Sequence, residues 1–203
     1  MVNDLVVHVV DDDAAVRDSI AFLLDTDGIA SRTYDTAAAL LAHVPAIEPG
    51  CIVTDVRMPE VSGLEMVRRL KASGVTLPVI VITGHADVPL AIEAMHAGVT
   101  DFIEKPFDDE ALLASVRAAL AKGAEARDQA LLAKEILARL DALSTRERQV
   151  LDGLVAGHAN KVIAYDLDIS PRTVEVYRAN VMTKMQARSL SELVRMTMVT
   201  RRD

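Results

Sequence analysis

Residues 51–59 read Cys51-Ile52-Val53-Thr54-Asp55-Val56-Arg57-Met58-Pro59, and this stretch decides the fold. Ile52 and Val53 are β-branched and apolar, which suits a strand covered on both faces. Pro59 lacks a backbone donor, so no strand continues past it. The apolar run stops at Asp55. An acid at the carboxyl end of a parallel strand lies where α/β sheets open their ligand crevice. Taken alone, Asp55 reads first as the cap of a loop; the other strand ends bear on which reading holds.

Working outward, Leu5 to Val10 is a second apolar run, and it ends in Asp11-Asp12-Asp13. Apolar residues at 16, 20, 23 and 24 then have helical spacing, and Gly28 stops that helix. A short strand is predicted over 31–34, and Thr36 caps a helix rich in Ala and Leu. Past a Pro49-Gly50 turn comes the Asp55 strand, then a helix from Ser62 to Leu70. Pro78 to Gly84 is a buried strand, Ala86 to Ala97 a helix, and Asp101 to Pro106 a short strand ending in Lys105. A fifth helix is predicted over 108–120. Strands alternating with helices at this spacing imply a doubly wound, five-stranded parallel α/β sheet with helices on both faces. Asp11, Asp12, Asp55, Thr83 and Lys105 then all lie at or just past carboxyl ends of strands, on one sheet edge.

That set has a definite chemistry. Clustered carboxylates repel unless a cation is present. A hard divalent ion with oxygen ligands relieves the repulsion, and Mg2+ suits one or two carboxylates plus a phosphate. A carboxylate can attack phosphorus to form an acyl phosphate. The Lys105 ammonium can neutralise the phosphoryl group, the Thr83 hydroxyl can donate to it, and Gly84 leaves it room. A phosphatase or phosphotransferase would share this pocket but would need a substrate cap and an acid/base residue near Asp55. Only short loops are available there.

Composition sets the wider limits. Hydrophobic residues make up 51% of the 203, enough for cores, so wholesale disorder is excluded. There is no Trp and aromatics are 3%, so the cores must be built from Val, Ile, Leu, Met and Ala. Cys51 is the sole cysteine, which excludes an intrachain disulfide and a cysteine metal site and fits a reducing cytoplasm. No apolar run approaches the ~20 residues that span a bilayer, and no basic n-region opens the chain. A soluble cytoplasmic protein without membrane partners is expected. The net charge of −8 is unevenly spread: residues 1–122 carry 19 acidic and 9 basic groups, while residues 141–203 carry 8 and 10. Two domains with different partners follow, 1–122 and 141–203, joined by a helix-forming connector over 123–140.

The C-terminal part reads as four short helices. Ser144 or Thr145, with Glu147 or Gln149, has capping-box logic ahead of Val150, Leu151, Leu154 and Val155. Asn160 opens a second helix with Ile163, Ala164 and Leu167 inward. Ser170 then caps a third that begins at Pro171. Ser189 or Ser191 caps a fourth. Two short helices joined by a tight turn read as helix-turn-helix. Helical phase turns Val174, Tyr177, Val181 and Met185 inward. It turns Arg172, Glu175, Val176, Ala179 and Thr183 outward, where Arg, Glu and small apolar groups can read base edges. Lys161, Thr173, Arg178 and Lys184 are placed for phosphates. The domain's net charge of +2 is modest for a DNA binder, so dimerisation is needed to add phosphate contacts.

Asp11-Asp12, Asp55 with Met58-Pro59 and Gly63, Thr83-Gly84, and Lys105-Pro106-Phe107 together resemble the receiver domain of two-component response regulators, a CheY/flavodoxin-like fold. The resemblance implies that Asp55 accepts a phosphoryl group. It makes Asp11, Asp12, Asp55 and the Arg57 backbone carbonyl the Mg2+ site, with Asp11 often acting through water. It makes Thr83, Phe102 and Lys105 the switch, although Phe102 also reads simply as core. Arg57 and His85 fall where the family tunes phosphoryl lifetime; His85 reads equally as a solvent-facing loop residue. The family dimerises through its fourth helix, fifth strand and fifth helix; on the fourth helix Val88, Ala91, Ile92 and Met95 form a stripe that is either core or, on its outer part, interface.

Leu143-Ser144-x-Arg146-Glu147-x-x-Val150-Leu151, Ile163-Ala164, Ile169-Ser170-x-Arg172-Thr173-Val174 and Lys184 resemble the LuxR-type helix-turn-helix domain, over about residues 140–200. Val81-Ile82-Thr83-Gly84-His85-x-Asp87-Val88-Pro89 and the run from Lys161 to Val176 narrow the resemblance to the FixJ subgroup. That subgroup implies a non-enzymatic transcription activator of oxygen-regulated nitrogen-fixation genes. Its partners would be a FixL-type, haem-containing sensor histidine kinase, promoter DNA, RNA polymerase and, when phosphorylated, a second copy of itself. A constitutive DNA binder with a vestigial receiver is the competing reading, and the intact acidic set argues against it.

Overall fold

The computed structural model describes residues 5–84 and 88–199, with side chains to 198. The chain divides into two compact units, residues 1–127 and 128–203.

In the first unit, strands β1 (Val6–Val10), β2 (Ser31–Tyr34), β3 (Gly50–Asp55), β4 (Val79–Thr83) and β5 (Asp101–Glu104) form one parallel sheet in the order β2-β1-β3-β4-β5. The chain winds one way from β1 to β2 and the other way from β3 onward, so the topological switch point lies between β1 and β3. All six β3 residues are buried, as a central parallel strand requires. Successive side chains of a strand face opposite ways. Ile52 therefore joins Val10, Val81, Leu64 and Met66 on one face, while Cys51 and Val53 join Val7, Ile80, Leu24 and Leu112 on the other.

The helices cover those faces. They are α1 (Ala14–Thr26), α2 (Ala37–His43), α3 (Gly63–Ala72), α4 (Val88–Ala97) and α5 (Asp109–Asp141). Thr36 and Ser62 cap α2 and α3 by accepting from Ala39 and Glu65 N–H groups. Glycine is required at Gly63, where a Cβ would collide with the Asp55 carbonyl oxygen; α3 starts hard against the strand end that carries Asp55. The one polar side chain wholly buried inside β1 is His8. Its Nε2 donates to the Glu48 carbonyl at 3.0 Å, and its Nδ1 accepts from the Tyr34 hydroxyl at 3.2 Å. Burial lowers the His8 pKa, so the ring stays neutral.

One difference from expectation stands out. The fifth helix and the connector form a single helix, α5, of 33 residues. Gly123 does not break it, since one interior glycine costs only about 1 kcal/mol against Ala. A Cβ at 123 would also meet the Gly50 carbonyl oxygen at 3.0 Å, so this glycine lets the helix approach the sheet. The end of α5 belongs to the second unit, where Ile136 and Leu140 are buried.

The second unit continues with α6 (Thr145–Val155), α7 (Asn160–Asp166), α8 (Pro171–Lys184) and α9 (Leu190–Val199). Ser144 and Glu147 close a reciprocal capping box at the start of α6. Ser170 caps α8 with Pro171 at its first position. Val150, Leu154, Ile163, Val174, Val181, Met185 and Leu193 make the core. Among the described residues no helix is long and apolar enough to cross a membrane.

Candidate functional site

The carboxyl ends of β1, β3, β4 and β5 converge on an open cleft of about 340 Å3 lined by Asp11, Asp12, Asp13, Asp55, Arg57, Thr83, Gly84 and Lys105. All five strand-end residues singled out in the sequence are in it. Register explains why: Asp55 pairs with Ile82 and Thr83 with Glu104, so the polar residues that end each run fall in line.

The centre of the cleft is an ammonium between two carboxylates. Lys105 Nζ lies 2.8 Å from Asp55 Oδ1 and 3.0 Å from Asp11 Oδ2. The second Asp55 oxygen accepts from the Arg57 main-chain N–H at 2.6 Å. The Asp55 side chain is 11% exposed and that of Asp11 4%. Burial would lower the Lys105 pKa, but the hydrogen bonds to Asp55 and Asp11 outweigh it and hold the ammonium above the ordinary lysine value.

The three consecutive aspartates have separate tasks. Asp11 is committed, with Oδ1 accepting from the Asp13 N–H at 2.9 Å and Oδ2 from Lys105. Asp13 caps α1 by accepting from the Ala15 N–H at 2.8 Å. Asp12 is exposed and lines the cleft. The acidic groups that line the cleft, Asp11, Asp12, Asp13 and Asp55, offer oxygen atoms only. This chemistry fits a hard divalent cation such as Mg2+. Among the described residues no three acidic, His or Cys groups are gathered as a ready-made metal site. The positive charge between Asp11 and Asp55 is that of Lys105.

The positions expected to form the switch and the interface fall on β4, β5 and α4. Thr83 is 1% exposed at the end of β4, and its carbonyl accepts from the Lys105 N–H at 2.7 Å. Phe102 is half-buried on β5 against the core face that holds Val81. On α4, Val88, Ile92 and Met95 are exposed and Ala91 is half-buried, so the stripe is surface and not core. The helix packs inward through Ala94 and Ala97 instead. His85 lies outside the described residues.

In the second unit, Val174, Val181 and Met185 are buried. Arg172, Glu175, Val176 and Ala179 of α8 are exposed, as helical phase implies. Lys161 is exposed on α7, and Arg178 and Thr173 are half-buried. Thr173 exchanges a hydroxyl hydrogen bond with Ser170 at 2.8 Å. Lys184 is engaged elsewhere than expected: its Nζ donates to Glu147 at 2.7 Å and to the Ala142 carbonyl at 3.3 Å. It lies about 18 Å along the helix axis from Arg172, at 1.5 Å per residue. The bonds from Lys184 and from the Ser144 N–H hold the Glu147 carboxyl below the usual range despite its burial. Asp13 and Arg17 were not assigned roles from the sequence. An Asp directly before a helix is a cap signal for the first, whereas Arg17 follows no recognisable pattern.

Residues 7–117 match the response regulator receiver domain, and residues 141–197 match the bacterial regulatory proteins of the luxR family. The chain belongs to the two-component response regulators, with a receiver domain followed by a LuxR-type DNA-binding domain. Within them it is of the FixJ type. It is 59% identical to the transcriptional regulatory protein FixJ of Azorhizobium caulinodans, over 98% of this chain and 94% of that one. It is 53% identical to FixJ of Bradyrhizobium diazoefficiens, over 95% and 94%. Among solved structures it is similar to the response regulator StyR, with TM-score 0.85, 38% identity and coverage of 96% and 98%. It is also similar to full-length FixJ from B. japonicum, with TM-score 0.60, 52% identity and 96% of each chain.

Proposed function

We propose that this regulator takes its input as a phosphoryl group on Asp55 and delivers its output through the outward face of α8. The observation that carries this reading is the Lys105–Asp55 contact inside a cleft of oxygen donors. An Asp55 carboxylate oxygen attacks the phosphorus of a phosphohistidine on a sensor kinase. The oxygen–phosphorus bond forms, the nitrogen–phosphorus bond breaks, and the imidazole leaves. Lys105 and the Thr83 hydroxyl face the phosphoryl oxygens and neutralise or donate to them. Asp12, Asp55 and the Arg57 carbonyl would hold Mg2+, with Asp11 through water. When bound, this ion supplies further charge neutralisation at the phosphoryl group.

A second cleft of about 260 Å3, lined by Val16, Ile20, Leu23 and Phe107, shares Lys105. It supports docking of the phosphodonor as a protein, with an apolar side chain seated beside the reacting groups. On phosphorylation Thr83 moves toward the phosphate and Phe102 fills the space behind it. The exposed Val88, Ile92 and Met95 with Ala91 then pair with a second copy. Two α8 helices engage promoter DNA, with Arg172, Glu175, Val176 and Ala179 at bases and Lys161, Thr173 and Arg178 at phosphates, and RNA polymerase follows. Likeness to the FixJ proteins supports a FixL-type kinase and oxygen-regulated nitrogen-fixation genes as the pathway.

Mass spectrometry of protein treated with a small phosphodonor and Mg2+ tests the input. One phosphoryl group is expected on the wild type and none on Asp55→Asn; a label retained by that variant would reject Asp55 as the acceptor.

A further inference from the structure

We infer that Arg17 is a positioning residue for the cation site, one that aims Asp12 by holding the peptide between Asp11 and Asp12. This inference rests on the reading of the cleft given above. Arg17 is the fourth residue of α1, half-buried, and its Nη1 donates to the Asp11 carbonyl oxygen at 2.6 Å. That carbonyl belongs to the peptide from which Asp12 leaves the strand, so fixing its plane fixes the direction of Asp12.

The rest of the turn is already tied down, which makes this bond the decisive one. The Asp11 side chain is held by the Asp13 N–H and by Lys105, and the Asp13 side chain by its cap bond to Ala15. The Arg17 N–H itself closes the first helical turn onto the Asp13 carbonyl at 3.0 Å. Asp12 has no such anchor among the bonds of this turn. Its direction is set by the peptides on either side: the 12–13 peptide through the Asp13 N–H, and the 11–12 peptide through Arg17. A guanidinium with a fixed charge and a planar fork suits this task, because its donor never titrates away at physiological pH.

The sign of one measurement separates positioning from mere proximity of charge. Arg17 is a cation near a cation site. If only its charge mattered, removing it would tighten Mg2+ binding. If it positions Asp12, removing it weakens binding, since loss of a partner that orients a ligand typically lowers metal affinity 10–100-fold.

The test is Mg2+ affinity of the full-length protein by calorimetry, with no phosphodonor present. Arg17→Met and Arg17→Gln, two uncharged substitutions, are each expected to weaken Mg2+ binding about tenfold. Urea unfolding checks that each variant is folded. Wild-type or tighter binding by either folded variant overturns the inference, as does lowered stability with Mg2+ affinity unchanged. Asp12→Asn serves as the reference for the cleft itself. If that variant binds Mg2+ as the wild type does, the cleft reading fails, and the assignment of Arg17 fails with it.

Discussion

The Lys105 ammonium sits 2.8 Å from an Asp55 oxygen that is almost out of solvent, and it shares itself with Asp11 at 3.0 Å. One cation thus compensates two carboxylates. Replacing Lys105 with Met leaves both carboxylates facing each other. Removing one partner of a buried pair costs about 3–5 kcal/mol, and the 25% exposure of Lys105 puts the expected loss at or below the lower end of that range. Urea unfolding in Mg2+-free buffer measures it, and added Mg2+ should restore part of the loss.

Cys51 lies fully buried on β3, four residues before Asp55, and burial pushes its thiol up to about 12. The thiolate is the reactive form, so the folded receiver should not react with a disulfide reagent. Labelling should be far slower than for a free thiol and should accelerate with urea as the receiver opens. Fast labelling in native buffer would contradict the burial of β3.

The Glu147 carboxyl is held below its ordinary range by bonds from Lys184 and from the Ser144 N–H. A depressed folded-state pKa contributes stability that is present above the ordinary carboxylate value and is lost as pH falls through the lower folded value. Glu147→Gln should therefore destabilise α6 at neutral pH, and the wild type should converge on it in acid. Hydrogen exchange of peptides spanning 144–155 at a series of pH values checks this.

Ile92 and Met95 are 49% and 76% exposed, so a charge at either position leaves the receiver core intact. Ile92→Asp should keep wild-type stability and phosphorylation yet remain monomeric by sedimentation after phosphodonor treatment. A phosphorylated Ile92→Asp that still dimerises would move the interface off α4.

On α8 and α7 the two kinds of contact give different signatures. Arg172→Ala should cost about 1–3 kcal/mol of operator affinity and relax preference at one base position. Lys161→Ala should weaken binding to all sequences alike and lower the salt slope by about one. Titrations at several salt concentrations separate the two.

The receiver was legible because β1, β3 and β4 are buried on both faces and read as nearly unbroken apolar runs whose polar ends mark one sheet edge. Caps were legible for a local reason: Thr36, Ser144 and Ser170 each stand just before an apolar-periodic run, whereas Ser62, read as the first residue of its helix, is the cap of α3. Three features were not legible. The helix predicted over 108–120 does not end there, because the residues around Gly123 are strong helix formers and Gly123 itself lets α5 come close to the Gly50 carbonyl. Helical phase put Lys184 on the surface but could not reveal that Glu147, 37 residues earlier, takes its ammonium. The apolar stripe on α4 could not be assigned to core or surface, because apolar residues lie all round this helix: Leu90, Ala94 and Ala97 pack inward, while Val88, Ile92 and Met95 stay outside.

In this reading, phosphorylation of Asp55 governs DNA binding by α8. The most direct measurement is operator affinity of the wild type and of Asp55→Asn, each with and without a small phosphodonor and Mg2+. Tighter binding is expected of the treated wild type alone, with Asp55→Asn fixed at the untreated level. Equal affinity under all four conditions would contradict it.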